Sequence, residues 1–465
     1  MKRNISLIVS ILFIISSSFS FANVDLPSKY DLRELNRVTK AKHQGNNGSC
    51  WAFASMSALE STLLNLDGQE YDFSENNLDM NHGFDLAPRT GGLRNFTTAY
   101  MTRWDGPILD IDDPYEKDLN AQDVRYANKI TDADVKKHVQ DIMFLEDKEY
   151  YYTNDLMDLN DTKNAIMEYG GVVSGMHIAK CEKGSPTYKN DEVYNQDTYS
   201  YFSNDYSNKV NHDIVIIGWD DSYSVDNFNQ KPDSNGAWIC ENNWGKEFGE
   251  AGYFYISYES AGLLMNQYVF TNIEDVDNYD NIYQYDYLGN TKSTRSDFWM
   301  NSDFGNKDLY FNVFDANEES EMLKALGFYT LGKNAKYELY FISDFENFKS
   351  RINNDGEYFE DIINEFKIED GEIENAGFHT ISVNGDYIIN PNKKFGVGLY
   401  VDVEASDEDF CFEKSNMQVY SSKAKVNKGE TYYYDPDCYE ITDANMGYQG
   451  FGNLCLKAYT DILVK

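Results

Sequence analysis

Apolar side chains at Met56, Leu59, Leu63 and Leu66 step by three, four and three, the spacing of one helix face. That helix should begin near Ser49 and stop at Asp67-Gly68. The tracts Asp132 to Met143 and Leu159 to Tyr169 also read as helices. Beyond Gly170 the pattern changes. Val172 to Ile178, Asp213 to Trp219, Ala237 to Glu241 and Gly252 to Tyr258 read as short strands between turn-rich segments. A stretch that is helix-rich early and strand-rich later points to an α+β unit of two lobes.

Near Asn272 the character shifts again. Glu274-Asp275-Val276-Asp277-Asn278-Tyr279-Asp280-Asn281 is polar and acidic, as a linker would be. Its aspartates lack the glycine and final glutamate of a helix–loop–helix calcium loop. Strand patterns then dominate, at Ala325 to Thr330, Tyr337 to Ile342, His379 to Val383, Phe395 to Val403 and Leu454 to Tyr459. They predict an all-β sandwich over residues 273–465, after an α+β domain over 23–272.

Hydrophobic residues make up 42% of the 465-residue chain, enough for two packed cores. The formal charge of −38 repels nucleic acid and anionic lipid, so neither is expected as a partner. At the N-terminus, Lys2 and Arg3 precede an apolar run from Ile5 to Ile15 and the tract Ser20-Phe21-Ala22. That is the layout of a secretory signal peptide over residues 1–22. It implies an extracellular, cell-surface or periplasmic protein with no membrane span once the signal is removed. A monomer is expected.

Six cysteines (Cys50, Cys181, Cys240, Cys411, Cys438 and Cys455) are few for a disulfide scaffold of this size. If Cys50 is a free nucleophile, five remain, and at least one more must stay reduced. Cys411 with Cys438 is one available pair, but spacing does not fix the connectivity.

Gln44-Gly45-Asn46-Asn47-Gly48-Ser49-Cys50-Trp51 places a cysteine where the first helix should start. The unpaired N–H groups and dipole of a helix N-terminus favour a thiolate, the nucleophilic form. His212 lies in Val210-Asn211-His212-Asp213-Ile214, and Asn242 in Glu241-Asn242-Asn243-Trp244-Gly245. A thiolate, an imidazole and an amide that orients it form a nucleophilic set. The remaining histidines, at 43, 82, 138, 177 and 379, have no such surroundings and read as structural or solvent-facing.

Over residues 25–272 these blocks resemble papain and the cathepsins. The resemblance implies Cys50 as nucleophile, His212 as base and Asn242 as the orienting amide. It makes Gln44, six residues before Cys50, the side-chain donor of the oxyanion hole. Gly91-Gly92-Leu93 resembles the tract that binds an extended peptide through its backbone. Leu93 and Asp213 would line the pocket for the second residue upstream of the cut, and Trp244 would cover the histidine–asparagine bond. Three departures stand out. Asn47 replaces a disulfide cysteine, and Asn243 replaces a serine. His212 also lies somewhat farther from Cys50 than the roughly 130–150 residues usual in the family. A long inhibitory pro-segment is usual in the family, whereas here the mature-like tract follows closely on the signal.

The second half, at Ala325-Leu326-Gly327-Phe328-Tyr329-Thr330 and Gly452-Asn453-Leu454-Cys455, resembles the lectin-like domain of bacterial surface-layer-processing peptidases. The implied activity is endopeptidase cleavage of protein or peptide, with no metal or organic cofactor. The C-terminal domain would direct the enzyme to a surface or a glycan. Two other classes stay open: a binding protein on a peptidase scaffold, and a thiol transpeptidase or amidase acting on cell-wall peptide.

Overall fold

The computed structural model describes residues 26–124, 129–147, 159–179, 192–205, 209–294, 308–355, 357–403, 409–435, 438–446 and 450–463. The signal-peptide tract and Cys181 lie outside them.

The first helix spans Cys50–Leu66. Every residue from Trp51 to Leu63 is buried, so it is a central helix rather than an amphipathic surface one. Of the four periodic leucine and methionine positions, only Leu66 is exposed. The helix packs against the strands His212–Asp220 and Met265–Glu274. Shorter helices at Glu75–Asn81 and Arg94–Thr102 complete the helical lobe. One apolar core joins both lobes, running from Met56 and Leu59 through Ile214 and Ile216 to Trp238 and Phe270. The architecture is therefore a papain-like α+β domain followed by an all-β domain.

One expected helix is a strand. Residues His138–Phe144, inside the predicted helix Asp132 to Met143, pair with Met265–Glu274 on one side and Ala376–Ser382 on the other. Register shifts between Val139 and Asp141, and between Asp141 and Ile142, disturb the two-residue alternation. The buried positions Val139, Ile142 and Met143 then imitate helical spacing.

This strand also joins the two halves. A continuous sheet runs from Asn281–Tyr283 through Leu456–Ile462, Glu321–Thr330, Ala376–Ser382 and His138–Phe144 into the strands of the first half. At the seam Gly377 stands opposite Met143, and a Cβ there would lie 2.1 Å from the Ile142 carbonyl oxygen. Only glycine lets the strands meet at that point. His379 Nδ1 lies 3.1 Å from Asp141 Oδ2, and the Trp104 ring stacks on His138 at 3.8 Å.

In the second half the long sheet faces a six-stranded sheet across a core of Leu326, Phe328, Phe341, Val397 and Leu399. This is the expected sandwich, with helical additions. A helix at Phe345–Asn353, capped by Asp344, covers the outer face of the six-stranded sheet with Phe345, Phe348 and Ile352.

The pair Cys411–Cys438 is not formed. Cys411 is buried with Cys455, Tyr329 and Phe378, while Cys438 is exposed between two other strands, and both are thiols. Among the described residues, no helix is long and apolar enough to cross a membrane.

Candidate active site

Cys50 is the first residue of its helix. The preceding Ser49 does not cap the helix, because its hydroxyl donates to Asp79 Oδ2 at 3.0 Å instead. First-turn N–H groups therefore remain available to the sulfur. Backbone N–H groups of Asp213, Trp51 and Cys50 itself lie within its hydrogen-bonding reach. The Asp213 contact places the thiol beside the His212–Asp213 peptide.

His212 opens the strand His212–Asp220 and is buried. Its Nε2 lies 2.9 Å from Asn242 Oδ1. The Asn243 backbone N–H donates to that same oxygen at 2.9 Å, which fixes which end of the Asn242 amide faces the ring. Nε2 is thus the N–H of the neutral imidazole, and Nδ1 is left as its basic nitrogen. Trp244 lies against the ring, with centroids 5.1 Å apart, and shields the histidine–asparagine contact.

Burial pushes the Cys50 thiol up to about 12, with the Asp213 charge adding to it. Burial lowers His212 to about 4, against the Asn242 hydrogen bond. Each group alone is therefore neutral at pH 7. A proton passed from sulfur to imidazole would charge both together, each charge stabilising the other. Asp213 is raised to about 6 by burial.

Gln44 is buried, and its backbone N–H donates to the Asn243 carbonyl at 2.9 Å. Its side-chain Nε2 donates to the Asn47 carbonyl, and among the described residues its Oε1 has no hydrogen-bond partner. Asn47, the departure from the family cysteine, holds this loop through Nδ2. It donates to the Leu119 carbonyl at 2.9 Å and to the Lys117 and Gln44 carbonyls at 3.3 Å each.

Gly91-Gly92-Leu93 runs past the helix start. A backbone bridge joins Gly48 to Thr90, and the Gly48 N–H donates to the Arg89 carbonyl at 2.8 Å. A Cβ on Gly92 would lie 2.3 Å from the Trp51 indole, so only glycine lets the tract lie this close to the helix. A Cβ on Gly91 would meet open space, and Leu93 is exposed. The structure thus brings Cys50, His212, Asn242, Asp213 and Trp244 to one place, with Gln44 tied to their loop and the glycine tract beside the helix.

Asn243, which stands where the family has a serine, does more than fill that place. Its Nδ2 donates to the Asp213 carbonyl at 2.9 Å and to the Cys50 carbonyl at 3.3 Å. One amide therefore spans the helix start and the histidine strand, a bridge longer than a serine hydroxyl makes.

Behind the site lies a second cluster that the sequence did not reveal. Lys42 Nζ is 2.9 Å from Glu60, 2.6 Å from Asp72 and 2.9 Å from Glu75. Glu241 is buried nearby on the Ser57 hydroxyl at 2.8 Å. Burial raises Glu75 and Glu241 to about 7 each, and the charge of Glu60 adds to both. A carboxyl whose folded pKa lies above its unfolded value favours folding at low pH. That contribution is lost as pH rises through the folded value. Thermal stability should therefore fall between pH 5 and pH 8. Glu241→Gln should restore at most about 3 kcal/mol at pH 8 and nothing at pH 4. Urea melts of both forms at the two pH values measure this.

A thiol at a helix start, beside the peptide that carries an imidazole held by an amide, is equipped for nucleophilic catalysis. The comparisons say which proteins are built this way. The chain matches the papain family cysteine proteases over residues 26–273, more than half its length, and belongs to that family. Residues 282–460 match the lectin like domain. The chain is 27% identical to rat (Rattus norvegicus) procathepsin L over 237 residues, 50% of this chain and 61% of that protein. It is 27% identical to the viral cathepsin of Spodoptera litura multicapsid nucleopolyhedrovirus over 235 residues, 49% of this chain and 56% of that protein. It thus spans less than two thirds of the length of these relatives.

Among solved structures, the clostridial cysteine protease Cwp84 after propeptide cleavage is similar at a TM-score of 0.76 and 28% identity. The match covers 94% of this chain and all of that one. The cysteine protease and lectin-like domains of Cwp84, a surface layer associated protein of Clostridium difficile, give a TM-score of 0.74 at 27% identity. They cover 95% of this chain and 90% of that one.

Proposed function

We propose that the protein is a secreted bacterial cysteine endopeptidase acting through Cys50, His212 and Asn242. The observation that carries this reading is the 2.9 Å contact from His212 Nε2 to Asn242 Oδ1, behind a thiol that meets the Asp213 amide. It leaves Nδ1 as the basic nitrogen facing the nucleophile's side of the ring. Cys50 attacks the peptide carbonyl as thiolate, and the imidazolium of His212 protonates the leaving amine. Water, activated by the neutral imidazole, then hydrolyses the acyl-enzyme. Gln44 Nε2 and the Cys50 backbone N–H receive the oxyanion. Gly91 and Gly92 hold the substrate strand. The catalytic domain is residues 23–272. The domain of residues 273–465 directs the enzyme to a surface or glycan, a reading supported by the surface-layer association of Cwp84.

The test incubates residues 23–465 under reducing conditions with denatured protein and a dipeptidyl reporter library. Cleavage that a thiol-reactive epoxide blocks by alkylating Cys50 supports the proposal. Epoxide-resistant cleavage, or no cleavage by a folded sample, overturns it. Transfer of the acyl group to an amine in preference to water would indicate a transpeptidase.

Asp213 gives a second expectation. Ionised above about pH 6, it favours a basic residue two positions upstream of the cut. The ratio of kcat/KM for arginine over leucine at that position should fall as pH drops from 7.5 to 5. Asp213→Asn should flatten the profile. A preference for aliphatic residues at both pH values refutes the assignment.

A further inference from the structure

In the C-terminal half, outside the candidate active site, a lysine, an aspartate and a glutamate are buried together. The strand Asn281–Tyr283 pairs with Leu456–Ile462, with Tyr283 opposite Ala458. Continuing that register brings the chain after Tyr283 alongside Lys457. Lys457 Nζ lies 2.8 Å from Asp286 Oδ2 and 2.8 Å from Gln284 Oε1. The lysine and aspartate side chains are only 1% and 0% exposed.

As a permanent ion pair this arrangement is expensive, because two charges have left water. It is also incomplete, since among the described residues Asp286 Oδ1 has no hydrogen-bond partner. Glu413 is buried close enough that the charges of Asp286 and Lys457 both act on it. Its oxygens accept from the backbone N–H groups of Leu288 and Lys425. Tyr329 and Cys455 are buried within reach of the Asp286 charge.

We propose that Lys457 and Asp286 form an intramolecular isopeptide bond, with Glu413 as the proton-relay group. Burial raises the Asp286 carboxyl above the ordinary carboxylate range, so it takes up a proton more readily than in water. Glu413, held up to about 7 by burial, has a proton to share near neutral pH. Glu413 gives its proton to Oδ1 and recovers one from the lysine ammonium, which makes the Asp286 carbon electrophilic and frees the Nζ lone pair to attack it. The Nζ–Cγ bond forms and one Cγ–O bond breaks. The departing oxygen takes two protons, both from the lysine ammonium, and leaves as water. Ammonium plus carboxylate becomes amide plus water, with no oxidant or co-reactant. Positioning supplies the driving rate, because groups held this close react as if at very high concentration. The bond ties the last strand to the first tract of the domain and encloses nearly all of it. An unfolding excursion then cannot release the terminal strand to a protease, including a second copy of the same enzyme.

The test is peptide mass mapping of purified residues 23–465, reduced, denatured and digested with trypsin. The expected result is one branched peptide holding Asp286 and Lys457, lighter by one water than its linear parts and uncleaved after Lys457. Glu413→Gln should slow its appearance at least tenfold in a refolding time course. Asp286→Ala should yield no branched peptide. The wild-type map decides the proposal even if a variant fails to fold. Recovery of Asp286 and Lys457 only in separate linear peptides, after prolonged incubation at neutral pH, overturns it. A branched peptide that forms equally fast in folded Glu413→Gln removes Glu413 from the proposal.

Discussion

Cys50→Ala should bring peptide hydrolysis down to background, and His212→Ala should lower kcat/KM by about 10³–10⁴. The double variant should be no worse than Cys50→Ala alone. The reasoning is that the two side chains form one device. Buried separately, each is held neutral, the thiol up at about 12 and the imidazole down at about 4. Removing His212 takes away both the proton acceptor and the counter-charge that makes the thiolate accessible. Groups acting as a unit lose their function together, so the losses do not add. Asn242→Ala should cost less, because the ring keeps its burial and its contact with Trp244. Its signature is a shifted acid limb in the kcat/KM profile, since the hydrogen bond that raises His212 is gone. Reporter-peptide kinetics with near-UV circular dichroism separate these effects from misfolding. A His212→Ala enzyme within tenfold of wild type would mean that another group takes the proton.

The chemistry of the candidate site was legible because each part is a short local signal. Glycine and serine before Cys50 mark a helix start, and the helix does start there. Ala237 to Glu241 reads as a strand and is one over those residues. Long-range features were not legible. The strand His138–Phe144 is buried on nearly all sides and lies between two partners distant in sequence, so its alternation is hidden. The continuous sheet across the two halves follows from that same strand and was equally invisible. The helix Phe345–Asn353 did leave a trace, since Asp344 caps it and Phe345, Phe348 and Ile352 share a face. Strand-rich surroundings outweighed that short pattern. Asn243 illustrates another limit. Its identity was visible, but its reach to two carbonyls on different elements exists only once the fold has formed. The cluster around Lys42 is of the same kind, with partners at 60, 72 and 75 and a further carboxyl at 241.

Gln44→Ala should lower kcat by about 10²–10³ and leave KM within a few-fold. One of the two side-chain N–H bonds of Gln44 is spent on the Asn47 carbonyl, which fixes the direction of the other. A donor held that way needs no reorganisation when the carbonyl oxygen becomes an anion, which is why it acts on the transition state more than on the bound substrate. Gln44→Glu sharpens the test. It keeps the shape but puts a negative charge where the oxyanion must form and raises the cost of the Cys50 thiolate. Its kcat should therefore fall below that of Gln44→Ala, although it fills the site better. If Gln44→Ala moved only the melting temperature, the residue would be a loop anchor through Asn47 and Asn243. The oxyanion would then rest on the Cys50 amide and other donors of the cleft.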